Sequence, residues 1–359
     1  MFDELNISVI KIFFIGTASF VLAFFLTPLL TRYLYKYKLW RKSVRTKSVD
    51  GKDLYYFNKF HSDGEVSTPR GGGLLIWITV LILAILFFIL SWINEYFSFE
   101  LWWLSKLNFL SRSQVWLPLF ALVSAAIVGL ADDLLQVFGK GKYIAGGLTL
   151  KWRLFLVGLI GLVGGWWFFF KLGYTTIHVP GDGNFYIGLW YIPLFIIVML
   201  ATYSGGVIDG LDGLAGGAFI SIFAAFTGIA LFNGQIDLAA FCSAILGAVL
   251  AFLWFNIPPA RFYMGETGMI GLCAALTVVA FLTDSVLVLP IIGFLLVIES
   301  GSVILQLISK KFLKRKIFFA SPIHHHFEAK GWPSYKVTMR FWVIGIVMAI
   351  IGLAIRLLG

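Results

Sequence analysis

The chain reads as an all-α polytopic membrane protein of about ten transmembrane helices. Both termini lie outside, and a small extracytoplasmic β-hairpin sits between helices 4 and 5. Three observations predict this. Hydrophobic residues make up 60% of the 359 and charged residues 13%, with a mean hydropathy of +0.91. A soluble chain of this length could not hide so much apolar surface, so lipid must be part of its solvent. Apolar windows of about 17–25 residues recur along the chain, and lysine and arginine gather in alternate connections between them.

The first span, 8–31, follows "MFDELNIS", which lacks the basic region of a signal peptide. Its apolar run is also too long for a signal core, so it reads as an uncleaved span. Further spans fall at 71–91, 114–130, 152–170, 188–206, 213–232, 238–257, 267–283, 286–308 and 339–358. Between the fourth and fifth, "TTIHVPGDGNFYI" alternates around a Pro-Gly-Asp-Gly turn, the pattern of a hairpin. No internal repeat or low-complexity segment divides the chain, so 1–359 reads as one integral-membrane domain. Cys242 and Cys273 lie in apolar segments and imply no disulfide framework. Most of the 28 lysines and arginines fall on one side if the N-terminus is outside, which makes that side cytoplasmic. The net charge of +10 therefore reports positive-inside loops rather than nucleic-acid binding.

Acidic residues interrupt the apolar sequence in three places. "VGLADDLL" carries Asp132 and Asp133, "GVIDGLDGLAGG" carries Asp209 and Asp212, and "FYMGETG" carries Glu266. A fourth polar stretch, "SPIHHHFEAKGWP", holds His324, His325 and His326, three of the five histidines. Taken singly, these are a solvated helix end, turn aspartates, a helix-cap neighbour and an interfacial belt. The topology puts all four at the same cytoplasmic surface, which independent accidents would not do. Adjacent aspartates repel unless a cation intervenes. Hard carboxylate oxygens suit Mg²⁺, with Mn²⁺ as a substitute. Asp132, Asp133 and Glu266 are the candidate metal ligands. "STPRGGG" and "DGLDGLAGG" open two spans as glycine-rich helix starts, natural seats for phosphate. No Walker A or G-x-G-x-x-G pattern occurs.

These motifs carry a resemblance. "IESGSVILQLISKK", the triple-histidine segment and the "RFW" after it resemble the phospho-N-acetylmuramoyl-pentapeptide transferases. "GLADDLLQV", "DGLDGLAGG" and "FLWFNIPPARFYMGETG" resemble, in order, the signatures of the wider polyprenyl-phosphate N-acetylhexosamine-1-phosphate transferase superfamily. The resemblance implies ten spans and transfer of phospho-MurNAc-pentapeptide from UDP to undecaprenyl phosphate, giving lipid I and UMP. It implies Mg²⁺ as cofactor, membrane lipid as surroundings, the bacterial inner membrane as location and a homodimer as the assembly. Asp132 and Asp133 would serve the lipid phosphate and metal, with Asp132 as base, and Glu266 stands where the family has a metal-binding aspartate. Gly210, Leu211 and Asp212 would line a uridine pocket with Tyr263 as its wall, and Asn256 matches a polar family position. Lys151 takes the place of a basic residue after the aspartate pair, and Arg70 with Lys151 would offset phosphate charge. His324 joins the catalytic set, with His325 and His326 on the substrate side; zinc binding is the rival reading for the triplet.

The sequence departs from the family's pattern at five positions. Tyr203, Gly206 and Ile208 replace two amides and a hydroxyl, and Arg70 stands for an apolar residue. Glu266 is longer than aspartate by one methylene, about 1.5 Å. The competing functions are a UDP-GlcNAc transferase, a cation transporter and an inactive scaffold. Glu299, inside the ninth span, reads as a side chain buried against a neighbouring helix.

Overall fold

A computed structural model describes residues 2–42, 66–97, 102–110, 113–140 and 146–359. Much of the basic first connection, and Lys142 in the third, lie outside the described residues. Helix α1 (Phe2–Lys36) leads to α2 (Leu74–Tyr96), the short α3 (Trp102–Leu107) and α4 (Ser113–Val137). Helix α5 (Leu150–Trp166) runs on through a π-turn, Trp167–Lys171. Helix α6 (Tyr191–Ser204) continues as a 3-10 turn, Gly205–Ile208. Helices α7 (Leu214–Phe232), α8 (Ile236–Asn256) and α9 (Gly265–Leu282) follow.

Among the described residues nine helices are long and apolar enough to cross a membrane. The difference from the expected ten is local. The segment 286–308 is broken into α10 (Leu289–Ile292) and α11 (Phe294–Ile308), neither of which reaches that length. Gly293 sits between them at φ −90°, ψ 28°, outside the helical well, and glycine is the residue that gives least resistance to leaving it. A π-turn, Ser309–Leu313, then leads to α12 (Ile323–Ala329) and α13 (Ser334–Leu358).

The expected hairpin is present. Strands β1 (Thr176–Val179) and β2 (Gly183–Tyr186) pair antiparallel, with Thr176 opposite Tyr186 and Val179 opposite Gly183. The C-terminal Gly359 abuts its Pro180–Gly181 turn, so the end of α13 and the hairpin share one end of the bundle.

Burial sorts the helices into a centre and a rim. In α9 94% of the apolar window is buried within the protein, against 22% in α13, so α9 is the axis and α13 faces lipid. Helix α9 packs chiefly on α4, and α8 packs on α1 and α7. Small residues allow these close approaches, as expected where lipid removes the hydrophobic drive between helices. At the α1–α8 crossing a Cβ on Gly247 would overlap the Gly16 carbonyl. Beside it the hydroxyls of Ser19 and Ser243 donate to Ala244 O (2.5 Å) and Ile12 O (2.8 Å) across the interface. Phe13, Phe25, Val343 and Ile350 point outward, an apolar surface that only lipid would cover.

One ion pair ties three segments at the end of α1. Lys11 Nζ donates to Asp237 Oδ1 (2.6 Å) on α8 and to Asn108 O (2.9 Å) before α4, with both charged side chains about nine-tenths buried. Removing one partner of a buried pair is costly, whereas replacing both with apolar groups is often near neutral. Lys11→Met should therefore cost about 3–5 kcal/mol, read as a lower unfolding midpoint in detergent. The double variant Lys11→Met/Asp237→Leu should recover most of the loss. Equal losses in the single and double variants would overturn this account.

Candidate active site

The site forms where the C-terminal end of α4 meets the N-terminal end of α9. A carboxylate near a helix C-terminus faces the negative end of the dipole, while a helix N-terminus offers free N–H groups and the positive end. Asp133, one turn from the end of α4, takes both benefits from α9. Its Oδ1 accepts from Glu266 N–H and its Oδ2 from Thr267 N–H, each at 3.0 Å. Gly265 makes this possible. It holds φ +74°, and a Cβ there would lie 2.5 Å from Asp133 Oδ2, a position only glycine fills without strain.

Asp132 turns the other way. Its Oδ1 accepts from Leu148 N–H (2.5 Å) and its Oδ2 from Gln136 Nε2 (2.7 Å) and Arg153 Nη2 (2.8 Å). Arg41, itself buried, donates to the far end of Gln136 and fixes that amide. Arg153, on the first turn of α5, is the hub of the site. Its Nη1 donates to Glu266 Oε1 (2.5 Å), its Nε to Leu148 O (3.2 Å), and it hydrogen-bonds the Tyr203 hydroxyl. A guanidinium's fork of fixed donors suits this bridge between two carboxylates.

Sequence reasoning missed Arg153 and named Lys151 in its place. Lys151 is exposed. Two residues along a helix turn the side chain through about 200°, so the two cations lie on opposite faces of α5. The small-residue stripe of α5 was the available signal, because Arg153 is in register with the buried Val157, Gly161, Gly164 and Gly165.

The carboxylates expected as metal ligands are close neighbours but are not assembled as a set of three. Arg153 stands between Asp132 and Glu266, and both oxygens of Asp133 are held by amides. Among the described residues no three His, Cys, Asp or Glu side chains form a metal-binding group. The donor chemistry fits a divalent ion only in the mode where substrate phosphates supply most of the ligands. Glu266 is the carboxylate open to it, with a side chain 25% exposed against 0% for Asp132.

The Asp209–Asp212 loop closes the site from the α6–α7 side. Asp209 Oδ2 accepts from Gly265 N–H (3.3 Å). Burial pushes its carboxyl up to about 6, against the opposing pull of Arg70. Asp212 Oδ2 accepts from Ala260 N–H (3.0 Å). Asn256 clamps the loop: its Oδ1 accepts from Gly213 N–H and its Nδ2 donates to Phe262 O, both at 2.9 Å. Its amide is thus spent on the protein's own backbone rather than on a substrate. Leu211 is buried beneath the loop, and Tyr263 is half-buried beside Thr68, with its phenol raised chiefly by burial.

The glycine-rich helix starts are not free phosphate seats. Gly72 and Gly73 donate their N–H groups to Tyr263 O and Met264 O, each at 2.8 Å, and Gly213 donates to Asn256. Their glycines serve close backbone approach instead. A Cβ on Gly73 would overlap Gly268 of α9.

Helix α12 sends the three histidines to three different partners, since consecutive helical residues diverge by about 100°. His324 Nδ1 bonds Glu299 Oε2 (2.9 Å) and its ring abuts Gly210. His325 Nδ1 bonds Glu328 Oε2 (2.7 Å), and Ser334 donates to the other oxygen, Glu328 Oε1. His326 accepts from Phe319 N–H (3.1 Å) and stacks on the Phe319 ring. Partial burial and Lys330 hold its imidazole below the usual range. His324 reaches the aspartate loop, and among the described residues the triplet makes no common zinc site.

The family model of glycosyl transferase family 4 matches residues 115–284, which contain every acidic motif of the site. The chain is 34% identical to the phospho-N-acetylmuramoyl-pentapeptide-transferase of Anoxybacillus flavithermus over 96% of its length and 98% of the relative's. It is 37% identical to that of Levilactobacillus brevis over 79% of this chain and 83% of the relative. To that of Chloroflexus aurantiacus it is 33% identical, over 96% of this chain and 89% of the relative. With its membrane-spanning helices and its buried acidic site at one end, the chain belongs to the phospho-N-acetylmuramoyl-pentapeptide-transferase family.

Proposed function

We propose that this protein transfers phospho-MurNAc-pentapeptide from UDP-MurNAc-pentapeptide to undecaprenyl phosphate, forming lipid I and UMP. The reaction would take place at the cytoplasmic face of the bacterial inner membrane, where the basic connections lie. The observation that carries the reading is the Asp132–Arg153–Glu266 bridge beside Asp133, at the end of a membrane-buried helix pair. It offers fixed charge to a phosphorylated substrate next to the lipid phase. A UDP-GlcNAc transferase is the closest competitor, and the relatives' names favour the muramyl substrate. A transporter would put its carboxylates at a helix break near mid-membrane, whereas the break at Gly293 holds none.

In the chemical step a phosphate oxygen of the lipid carrier attacks the β-phosphorus of the UDP-sugar. A new phosphorus–oxygen bond forms, the bond from that phosphorus to the bridging oxygen breaks, and UMP leaves with the electron pair. Two anions must meet, so charge neutralisation dominates the barrier. The lipid phosphate has a second pKa near 6 and reacts as its dianion, so no protein base is required. Asp132, enclosed by three donors, acts by holding Arg153 in place rather than by taking a proton. Arg153 and Arg70 offset the charge of the approaching phosphates. Mg²⁺, or Mn²⁺ in its place, would be held by Glu266 and the diphosphate and would lower the charge at the reacting phosphorus.

Purified protein with undecaprenyl phosphate and Mg²⁺ should release UMP from UDP-MurNAc-pentapeptide and not from UDP-GlcNAc. EDTA should stop the release and added Mg²⁺ restore it. Turnover with UDP-GlcNAc alone, or with neither sugar, would overturn the assignment.

Arg153→Ala should lower turnover on the order of 100–1,000-fold, the size of losing one preorganised donor, while Lys151→Ala stays near wild type. Asp132→Asn should act through the same guanidinium. The Asp132→Asn/Arg153→Ala double variant should then fall no further than the worse single variant, whereas multiplied losses would restore Asp132 as an independent base.

A further inference from the structure

Glu299 and His324 form a buried pair that the reaction scheme above does not use. Both are fully enclosed, at 0% exposure. Their one hydrogen bond joins Nδ1 to Oε2 at 2.9 Å. The two remaining polar atoms, Glu299 Oε1 and His324 Nε2, are buried with no hydrogen-bond partner. Such orphaned atoms are rare in native proteins and point to a missing ligand or water.

The unpartnered nitrogen faces the substrate loop. A Cβ on Gly210 would overlap Nε2 and lie 2.8 Å from Cε1, so the absence of a side chain at 210 lets the ring seat directly against that loop. Asp209 and Asp212 flank Gly210. The His325 ring lies 4.1 Å away, with Glu328 behind it.

Charge decides what Nε2 offers. A carboxylate with no partner but one imidazole is costly to bury unless the pair is neutral overall. The pair is neutral only when it holds two protons. One occupies the Nδ1–Oε2 bond, on whichever atom it rests, and the other sits on Nε2 or on Glu299 Oε1. With that proton on Nε2 the pair presents a donor; with it on Oε1, or in an anionic pair, Nε2 presents a lone pair.

We propose that Glu299 is a positioning residue that fixes His324 as a hydrogen-bond donor, its Nε2–H aimed past Gly210 at an anionic oxygen of the nucleotide-sugar diphosphate. This rests on the transferase reading for the identity of the ligand, but not for the protonation of the ring. The carboxylate at 299 thus belongs to the site although it touches no substrate.

The test exploits an isostere. In Glu299→Gln the pair loses a proton: where the amide oxygen accepts from Nδ1–H, Nε2 turns from donor to acceptor, and where the amide NH₂ donates to Nδ1, Nε2 keeps its proton, a difference that ¹⁵N labelling reads directly. The variant should keep its unfolding midpoint and lose kcat on the order of 100-fold, with KM changed far less, as for removal of a donor used in the transition state. His324→Gln should lose a similar factor, and the double variant no more than the worse single. Multiplied losses in the double variant, or near-normal kcat in a Glu299→Gln variant whose Nε2 is unprotonated, would overturn the proposal. Selective ¹⁵N labelling of the five histidines gives a readout that needs no turnover. The wild-type His324 ring should show a protonated Nε2, and Glu299→Gln an unprotonated one. An unprotonated Nε2 in the wild type overturns the proposal even if the enzyme turns over. Wild-type protein that releases no UMP sinks the transferase reading, and the labelling result still decides the donor assignment.

Discussion

The active end of this protein depends on one contact, the Asp133 carboxylate on the first amides of α9. Helix α9 is the most buried element of the bundle, and its N-terminal N–H groups lie at the membrane surface with no side-chain cap of their own. An aspartate from α4 supplies the missing acceptor. In return the dipole of α9 stabilises a carboxylate that the end of α4 would otherwise repel. Everything else is placed relative to this junction. Glu266 is the second residue of α9, Asp132 is the neighbour of Asp133, and Gly265 leaves room for both the turn and the carboxylate.

Lipid as solvent explains why the arrangement is so closely satisfied. A polar group left without a partner inside an apolar slab costs several kcal/mol. The buried polar residues are accordingly spent on one another or on backbone: Gln136 between Asp132 and Arg41, Asn256 between Gly213 and Phe262, Lys11 between Asp237 and Asn108. The two orphaned atoms of the Glu299–His324 pair are not the only such atoms among the described residues, but they belong to one hydrogen-bonded pair set against the aspartate loop.

Much of this was legible in the sequence. Apolar windows located the spans, because length and hydropathy are all that a bilayer demands of a helix, and Pro-Gly-Asp-Gly marked the hairpin turn. Clustering on one predicted face singled out Asp132, Asp133, Asp209 and Glu266. The break at Gly293 was less visible, since an apolar run looks the same whether or not one residue leaves the helical well. Lys151 was taken for Arg153 because sequence order carries no rotation about the helix axis. The partner of Glu299 was hidden for another reason: a pair separated by 25 positions is settled only by how α11 and α12 pack.

Three of the five departures from the family's pattern, Glu266, Tyr203 and Arg70, meet at the acidic site. Glu266 and Tyr203 lie in different helices, and both contact the guanidinium of Arg153. Arg70 lies near Asp133 and Asp209, a cation set against two acids. Random decay of an unused site would leave unmatched groups scattered through it, each costly to bury. Here the longer carboxylate reaches an arginine, the phenol joins the same arginine, and the added cation faces two acids. Coupled changes of this kind keep the site electrostatically closed, as a working enzyme requires and a vestigial scaffold does not.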